Sequence, residues 1–159
     1  MTDKQADSSD EPASPQVRFG PLPDMLGYQI RQAQTAVFRD FAMTVAGLDI
    51  SPGEFSLLTL IDANPGASQT RLASVYRVDK STLSLRIAGL VKRGLVRRSR
   101  SRTDQRLYAL WLADPGRRLL AKVRKHVDRQ EQAMADTLGP GERELLLDML
   151  QRIARAFDP

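Results

Sequence analysis

Helix start and stop signals divide the middle of the chain into three short helices. Ser51 can cap a first helix that begins at Pro52, with Glu54 three residues on closing a capping box. This helix carries apolar residues and stops near 64–66, at Asn-Pro-Gly. Ser68 starts a second helix that runs to about residue 76, and Asp79 starts a third that runs to about residue 92. Segments this short have to pack against one another, because helices of this length are marginal alone in water.

Two strands follow the third helix, which Gly94 closes. Leu95–Ser99 and Arg106–Leu112 are predicted as an antiparallel pair joined by a polar, basic loop. The side chains predicted on its half-buried face are Val96, Tyr108, Leu110 and Leu112. Three short helices followed by a hairpin predict a winged helix-turn-helix domain at 50–112.

Longer helices flank this domain. Apolar residues recur at helical spacing from about 24 to 46, and a second, partly apolar stripe follows the same helix. A helix that is apolar on two sides has to bury both, one against its own chain and one against a partner. Two further helices are predicted at about 114–138 and 141–157. We therefore expect a mainly α protein with a small β-hairpin, a helical dimerisation region at 21–48 and 114–157, and a disordered arm at 1–20.

The positive charge is concentrated in the predicted winged helix. Residues 68–106 contain eleven Lys or Arg and two acids, whereas the rest of the chain has 13 basic and 17 acidic residues. A phosphate backbone attracts such a patch. A solvated basic face, an acidic protein partner or a membrane surface would also account for the charge alone.

Composition excludes several kinds of chemistry. The sequence has no cysteine and one histidine, His126, so cysteine-based zinc sites, thiolate catalysis and multi-histidine metal sites are excluded. It also lacks a phosphate-binding loop motif and a nucleophile–histidine–acid set. We expect neither enzymatic activity nor a cofactor. No stretch approaches the roughly 20 apolar residues that span a bilayer, and we expect a cytoplasmic protein.

The second helix of a helix-turn-helix pair enters the major groove of DNA. With Leu83, Ile87 and Leu90 facing inward, its exposed N-terminal residues are predicted to meet base edges and phosphates. The predicted contacts from the helices are Ser68, Thr70, Arg71, Lys80, Ser81, Thr82, Ser84, Leu85 and Arg86. Lys92 and Arg93 are expected to contact the phosphate backbone or remain solvated.

The loop between the strands fits a wing that reaches the adjacent minor groove, where arginine is favoured. Its predicted DNA-contacting residues are Arg100, Arg102, Asp104 and Arg106. Asp104 can hold a wing arginine in place through a charge-assisted pair. The alternative is a hairpin turn that is charged without a partner.

Several of these runs, taken in order, resemble the MarR family of transcriptional regulators. They are Leu72-Ala73, 80–84, 90–98, the wing element Asp104-Gln105-Arg106, and the helix entry at Leu112 and Gly116. The resemblance covers roughly residues 24–157. Two positions depart from the family pattern: Leu85 stands where many members carry an arginine, and Ala113 replaces the usual threonine, which affects a local helix cap.

The resemblance implies a homodimer that binds a palindromic operator on double-stranded DNA. It also implies repression relieved by a small effector, often a phenolic or aromatic acid. Residues 26–31 and 38–41 further resemble regulators of hydroxycinnamate breakdown, some of which sense an acyl-CoA thioester. A constitutive or architectural DNA-binding protein without a ligand, and a protein-interaction module, are the alternatives.

This last resemblance suggests effector-binding residues. Tyr28, Phe38 and Phe55 could line an aromatic pocket, and Arg31, Arg39 or Lys122 could meet a carboxylate or CoA phosphates. His126 could bond a ligand. The alternative is that the aromatic residues form the dimer core, that the cations lie on the surface and that His126 is a polar neighbour of the helix stripe.

Overall fold

A computed structural model describes residues 17–76, 78–100 and 108–157. It confirms the mainly α architecture with one small hairpin. The chain divides into two compact units between Ala36 and Val37. The elements after a short 3-10 turn are α1 (Leu26–Thr44), α2 (Pro52–Ala63), α3 (Gln69–Tyr76), α4 (Lys80–Lys92), β1 (Val96–Arg100), β2 (Tyr108–Leu112), α5 (Asp114–Ala135) and α6 (Glu142–Ala156). Most of the arm predicted at 1–20 lies outside the described residues.

The helix starts read from the sequence are present as hydrogen bonds. The amide of Glu54 donates to Ser51 Oγ at 3.2 Å, and the amide of Ser51 donates to Glu54 Oε2 at 2.9 Å. Ser68 Oγ accepts from the amide of Arg71 at 3.2 Å, before α3. Ala113 provides no side-chain cap to α5, as its replacement of threonine predicts.

The main core lies where α2, α3, α4, the hairpin and α5 converge. The predicted inward face of α4 is confirmed, because Leu83, Ile87 and Leu90 are fully buried. The other members of this core with very low exposure are Leu57, Leu58, Ile61, Leu72, Val96, Leu110, Leu112 and Leu120. This core fixes α4 against its neighbours and leaves the opposite side of α4 facing outward.

The hairpin pairs its strands antiparallel, with Val96 opposite Leu112, Arg98 opposite Leu110 and Arg100 opposite Tyr108. The pair is half-buried as predicted, since Val96, Leu110 and Leu112 are buried while Tyr108 is 41% exposed. Tyr108 shares a face with Leu110 and Leu112 but lies at the far end of the strand, beyond the core. The other edge of β2 pairs with the chain before α3, where the amide of Leu110 donates to the carbonyl of Ala67 at 3.0 Å.

A second, smaller cluster joins the end of α1 to α5. Phe41, Val45 and Val123 are buried together, and Phe55 from α2 packs against them. The side chain of Gln130 donates to the carbonyl of Val37 at 2.9 Å. It also donates to Asp40 Oδ2 at 2.6 Å.

Helix α6 carries a row of apolar side chains that are exposed in the single chain. Leu145 is 52% and Leu150 is 41% exposed. Leu146, Leu147 and Met149 are exposed to a similar extent. Among the described residues, no helix combines the length and apolar character needed to cross a membrane.

Candidate nucleic-acid interface

Helices α3 and α4 and strand β2 enclose a shallow groove of about 320 Å³. A hydrogen bond from Gln69 Nε2 to Ser84 Oγ links α3 to α4 across it. Its lining combines polar and apolar side chains: Ser68, Gln69, Thr70, Ala73, Lys80, Leu83, Ser84 and Tyr108. Four of the residues predicted to contact DNA, Ser68, Thr70, Lys80 and Ser84, are therefore brought together on one surface.

The N-terminus of α4 is organised around Asp79. Its carboxylate accepts from the hydroxyl of Ser81, from the amide of Thr82 at 2.8 Å and from Thr82 Oγ1 at 2.5 Å. The hydrogen bond from Ser81 and those from Thr82 lower the pKa of Asp79 well below its usual range. The hydroxyl protons of Ser81 and Thr82 are thus committed to the cap, so these two side chains can offer a partner mainly acceptor lone pairs.

Two predicted contacts on α4 point outward. Lys80 is exposed at the first turn, beside the groove. Leu85 is 76% exposed, one turn further along. An exposed cation at the start of a helix is suited to a phosphate group.

Arg86 is directed inward. Its Nη1 donates to the hydroxyl of Tyr76 at 2.9 Å, and that hydroxyl donates to the carbonyl of Gly53. The guanidinium also lies 5.8 Å from the centre of the Tyr76 ring. Arg86 therefore joins α4 to the end of α3 and the start of α2, an arrangement in which it serves the packing of the domain.

Arg71 and Thr70 are exposed on α3, and Ser68 is half-buried at its start. Of the predicted wing, Arg100 is described and ends β1. Arg102, Asp104 and Arg106 lie outside the described residues. At the base of the wing the guanidinium of Arg98 stacks on Tyr108, 4.0 Å from the ring centre.

Sequence reasoning missed three residues of this surface. Gln69 and Tyr108 line the groove, and Tyr76 holds Arg86. The periodic pattern of β2 placed Tyr108 on the correct face, but the end of the strand lies past the core. The position of Tyr76, ten residues before Arg86, gave no signal because a turn separates the two helices.

The predicted effector residues lie in both units. In the first unit Tyr28 is half-buried, with its hydroxyl accepting from Gln32 Nε2 at 3.0 Å, and Arg31 is exposed. In the second unit Phe38 is 47% exposed, and Arg39 and Lys122 are exposed.

Two more effector candidates have internal partners. Phe55 is half-buried with its ring centre 6.2 Å from that of Phe41, which is a core contact. His126 is half-buried, and its Nδ1 lies 2.7 Å from Arg129 Nη2. Among the described residues, no group of three or more His, Cys, Asp or Glu side chains could hold a metal ion.

Comparison with known proteins matches this arrangement to one family. The sequence model of the MarR family matches residues 50–108. A putative transcriptional regulatory protein for the hcr operon of Thauera aromatica is 36% identical over 137 residues, which are 86% of this chain and 82% of that protein.

Solved structures of transcriptional regulators are similar to this chain over more than 85% of its length. The transcriptional repressor CouR bound to a 23-mer DNA duplex is similar with a TM-score of 0.80 at 39% identity, over 88% of this chain and 99% of that chain. CouR bound to p-coumaroyl-CoA gives the same TM-score and identity over 89% and 100%. The PcaV regulator of Streptomyces coelicolor with its natural ligand has a TM-score of 0.79 at 26% identity, over 86% and 96%.

Proposed function

Because the chain belongs to the MarR family, we propose that it is a homodimeric repressor released from a palindromic operator by a small aromatic effector. The observation that carries this proposal is the α3–α4 pair. Its second helix is fixed by a buried face and presents its N-terminus and Lys80 outward beside a groove. We also propose that the protein catalyses no reaction and that it acts in the cytoplasm, where it meets the operator DNA.

The DNA-binding surface is proposed to consist of the groove and the hairpin. Lys80, exposed at the start of α4, meets a phosphate, and Arg98 and Arg100 extend the positive charge along β1. The wing residues Arg102, Asp104 and Arg106 complete this surface in the adjacent minor groove. Ser68, Thr70, Arg71 and Ser84 supply polar contacts from the helices.

The dimer is proposed to form through the apolar face of α6, together with the flanking helices. A second copy would cover the apolar side chains of α6 that the single chain exposes, among them Leu146 and Leu150. A two-fold dimer presents two copies of α4, which matches the symmetry of a palindromic operator.

The effector is proposed to be a phenolic acid or its CoA thioester. CouR has been solved with p-coumaroyl-CoA, and the relative from Thauera aromatica is named for the hcr operon. Exposed side chains suited to an aromatic acid or to CoA phosphates are Phe38, Arg39 and Lys122, with Tyr28, Arg31 and His126 as further candidates. A ligand lowers operator affinity to the extent that it prefers the conformation that cannot bind DNA.

The test is binding of the purified protein to the promoter DNA beside its own gene, with and without aromatic acids and their CoA thioesters. We expect a Kd of about 10 nM or tighter, typical of a specific regulator, and release by one compound class. Tight binding that no compound releases would leave a constitutive DNA-binding protein. Binding to no duplex would favour a protein-interaction module.

The assignment of the wing to DNA can be tested with alanine variants and a control variant on α5. Replacing Arg102 or Arg106 with Ala should weaken operator binding while the dimer remains intact. Arg124→Ala removes an exposed arginine from α5 and serves as the control, with operator affinity close to that of the wild type. A wing variant that elutes as a monomer in size-exclusion chromatography would contradict the assignment of these residues to DNA binding.

A further inference from the structure

We propose that Leu85 selects thymine at one position of each operator half-site by packing against the C5-methyl group in the major groove. This inference rests on the proposed DNA-binding function and adds the base that the site prefers. It follows from the exposure of Leu85 and from the internal commitments of its polar neighbours.

Leu85 lies at the centre of the outward face of α4. Its side chain is 76% exposed, although Leu83 and Ile87 on either side of it are fully buried. Ser81 and Ala88 are also exposed, at four residues before and three residues after Leu85. These spacings put all three on one helix face, so the middle of that face is apolar.

The polar side chains around Leu85 have hydrogen-bond partners within the protein, although the hydroxyl proton of Ser84 stays available to donate. The hydroxyls of Ser81 and Thr82 donate to Asp79, and Ser84 accepts from Gln69. Arg86, the next residue, donates to Tyr76. The side chain that projects furthest from this turn without a polar commitment is therefore an aliphatic one.

An aliphatic side chain reads a base directly through apolar contact with its edge. Thymine presents a methyl group in the major groove, whereas the other three bases present donors and acceptors that leucine cannot pair. Removing one methyl group from a buried contact weakens binding by about fourfold. We expect a preference of about this size for thymine opposite Leu85.

The experiment compares the full-length protein and Leu85→Ala on operator duplexes in which one symmetric pair of thymines at a time is replaced by deoxyuridine. Deoxyuridine lacks only the methyl group and keeps the base-pairing edge. The wild type should lose about fourfold in affinity at one symmetric pair. Leu85→Ala should bind the thymine duplex about as weakly as the wild type binds that deoxyuridine duplex, and it should be insensitive to deoxyuridine there.

Val75→Ala is the matched control, because Val75 is an apolar side chain that is 57% exposed on α3. It should keep the wild-type response to deoxyuridine at every position. If Leu85→Ala responds to each replacement as the wild type does, or if the wild type responds to none, Leu85 does not read a methyl group, while operator binding stands. Failure of the wild type to bind any operator duplex would instead overturn the proposed function, and this inference with it.

Discussion

Arg93 at the end of α4 places its Nη1 2.8 Å from Oε1 of Glu54, near the start of α2. The other oxygen of the same carboxylate, Oε2, accepts from the amide of Ser51 and completes the capping box. Arg93 Nη2 also lies 3.3 Å from Asp49 Oδ2. One carboxylate thus closes the N-terminus of α2 and holds the C-terminus of α4. Arg93, which sequence reasoning assigned to DNA phosphates or to solvent, has two acidic partners within the protein.

Arg93→Ala should therefore destabilise the domain. Both side chains of the pair are partly buried, at 29% and 21% exposure. We expect the free energy of unfolding to fall by about 1–2 kcal/mol, measured by urea denaturation. Lys92→Ala, at the exposed neighbouring position, should change it by less than about 0.5 kcal/mol. Equal effects of the two variants would show that the pair with Glu54 does not contribute.

The cap of α4 should make stability depend on pH. The folded state lowers the pKa of Asp79, so the carboxylate contributes stability above the unfolded pKa of about 3.9 and loses it as the pH falls further. Asp79→Ala should lower Tm at pH 7 by about 2–4 °C. The difference from the wild type should shrink towards pH 2.

Asp79→Asn is the control for that experiment. Asparagine keeps an acceptor for the amide of Thr82 but carries no charge. At pH 7 its Tm should lie between those of the wild type and Asp79→Ala, because it keeps the cap but lacks the charge, and its difference from Asp79→Ala should not close at low pH. A gap between the wild type and Asp79→Ala that is the same at pH 7 and pH 2 would contradict the role given to the charge.

Gly116 should be intolerant of any side chain. A Cβ atom there would lie 2.1 Å from the carbonyl oxygen of Leu95, so the backbone of α5 or of the hairpin would have to move. Gly116→Ala should lower the free energy of unfolding by about 1–3 kcal/mol. Gly89→Ala, in α4 with no side chain or neighbouring element within 4 Å of the added carbon, should raise it by about 0.5–1 kcal/mol. A destabilising Gly89→Ala, or a neutral Gly116→Ala, would show that these contacts are misassigned.

A charge on the apolar face of α6 should separate the proposed dimer. Leu146→Glu or Leu150→Glu would bring an unpaired carboxylate into the interface. We expect a monomer in sedimentation velocity and a loss of operator affinity, because each subunit then binds one half-site alone. Gln151→Glu adds the same charge to α6 next to Leu150 and should remain dimeric. A dimeric Leu150→Glu variant would place the interface elsewhere.

Most of the local structure follows from short stretches of the chain. Caps at Ser51 and Asp79 depend on residues three positions away, so they can be read from a short window of chain. The inward face of α4 follows from the helical spacing of Leu83, Ile87 and Leu90. The ordered set of motifs was also enough to indicate the family and its DNA-binding domain.

The tertiary structure decided which polar side chains remain available to a partner. Leu85 and Arg86 are adjacent on α4, and Arg93 follows its last residue. The charge pattern alone offers both arginines to DNA phosphates. Arg93 instead meets Glu54, 39 residues earlier, and Arg86 meets Tyr76 across a turn. Such pairings depend on how the helices are packed, and helical periodicity carries no information about a partner on another element. As a result, the guanidinium groups of Arg86 and Arg93 bind partners within the protein, whereas the side chain of Leu85 remains exposed.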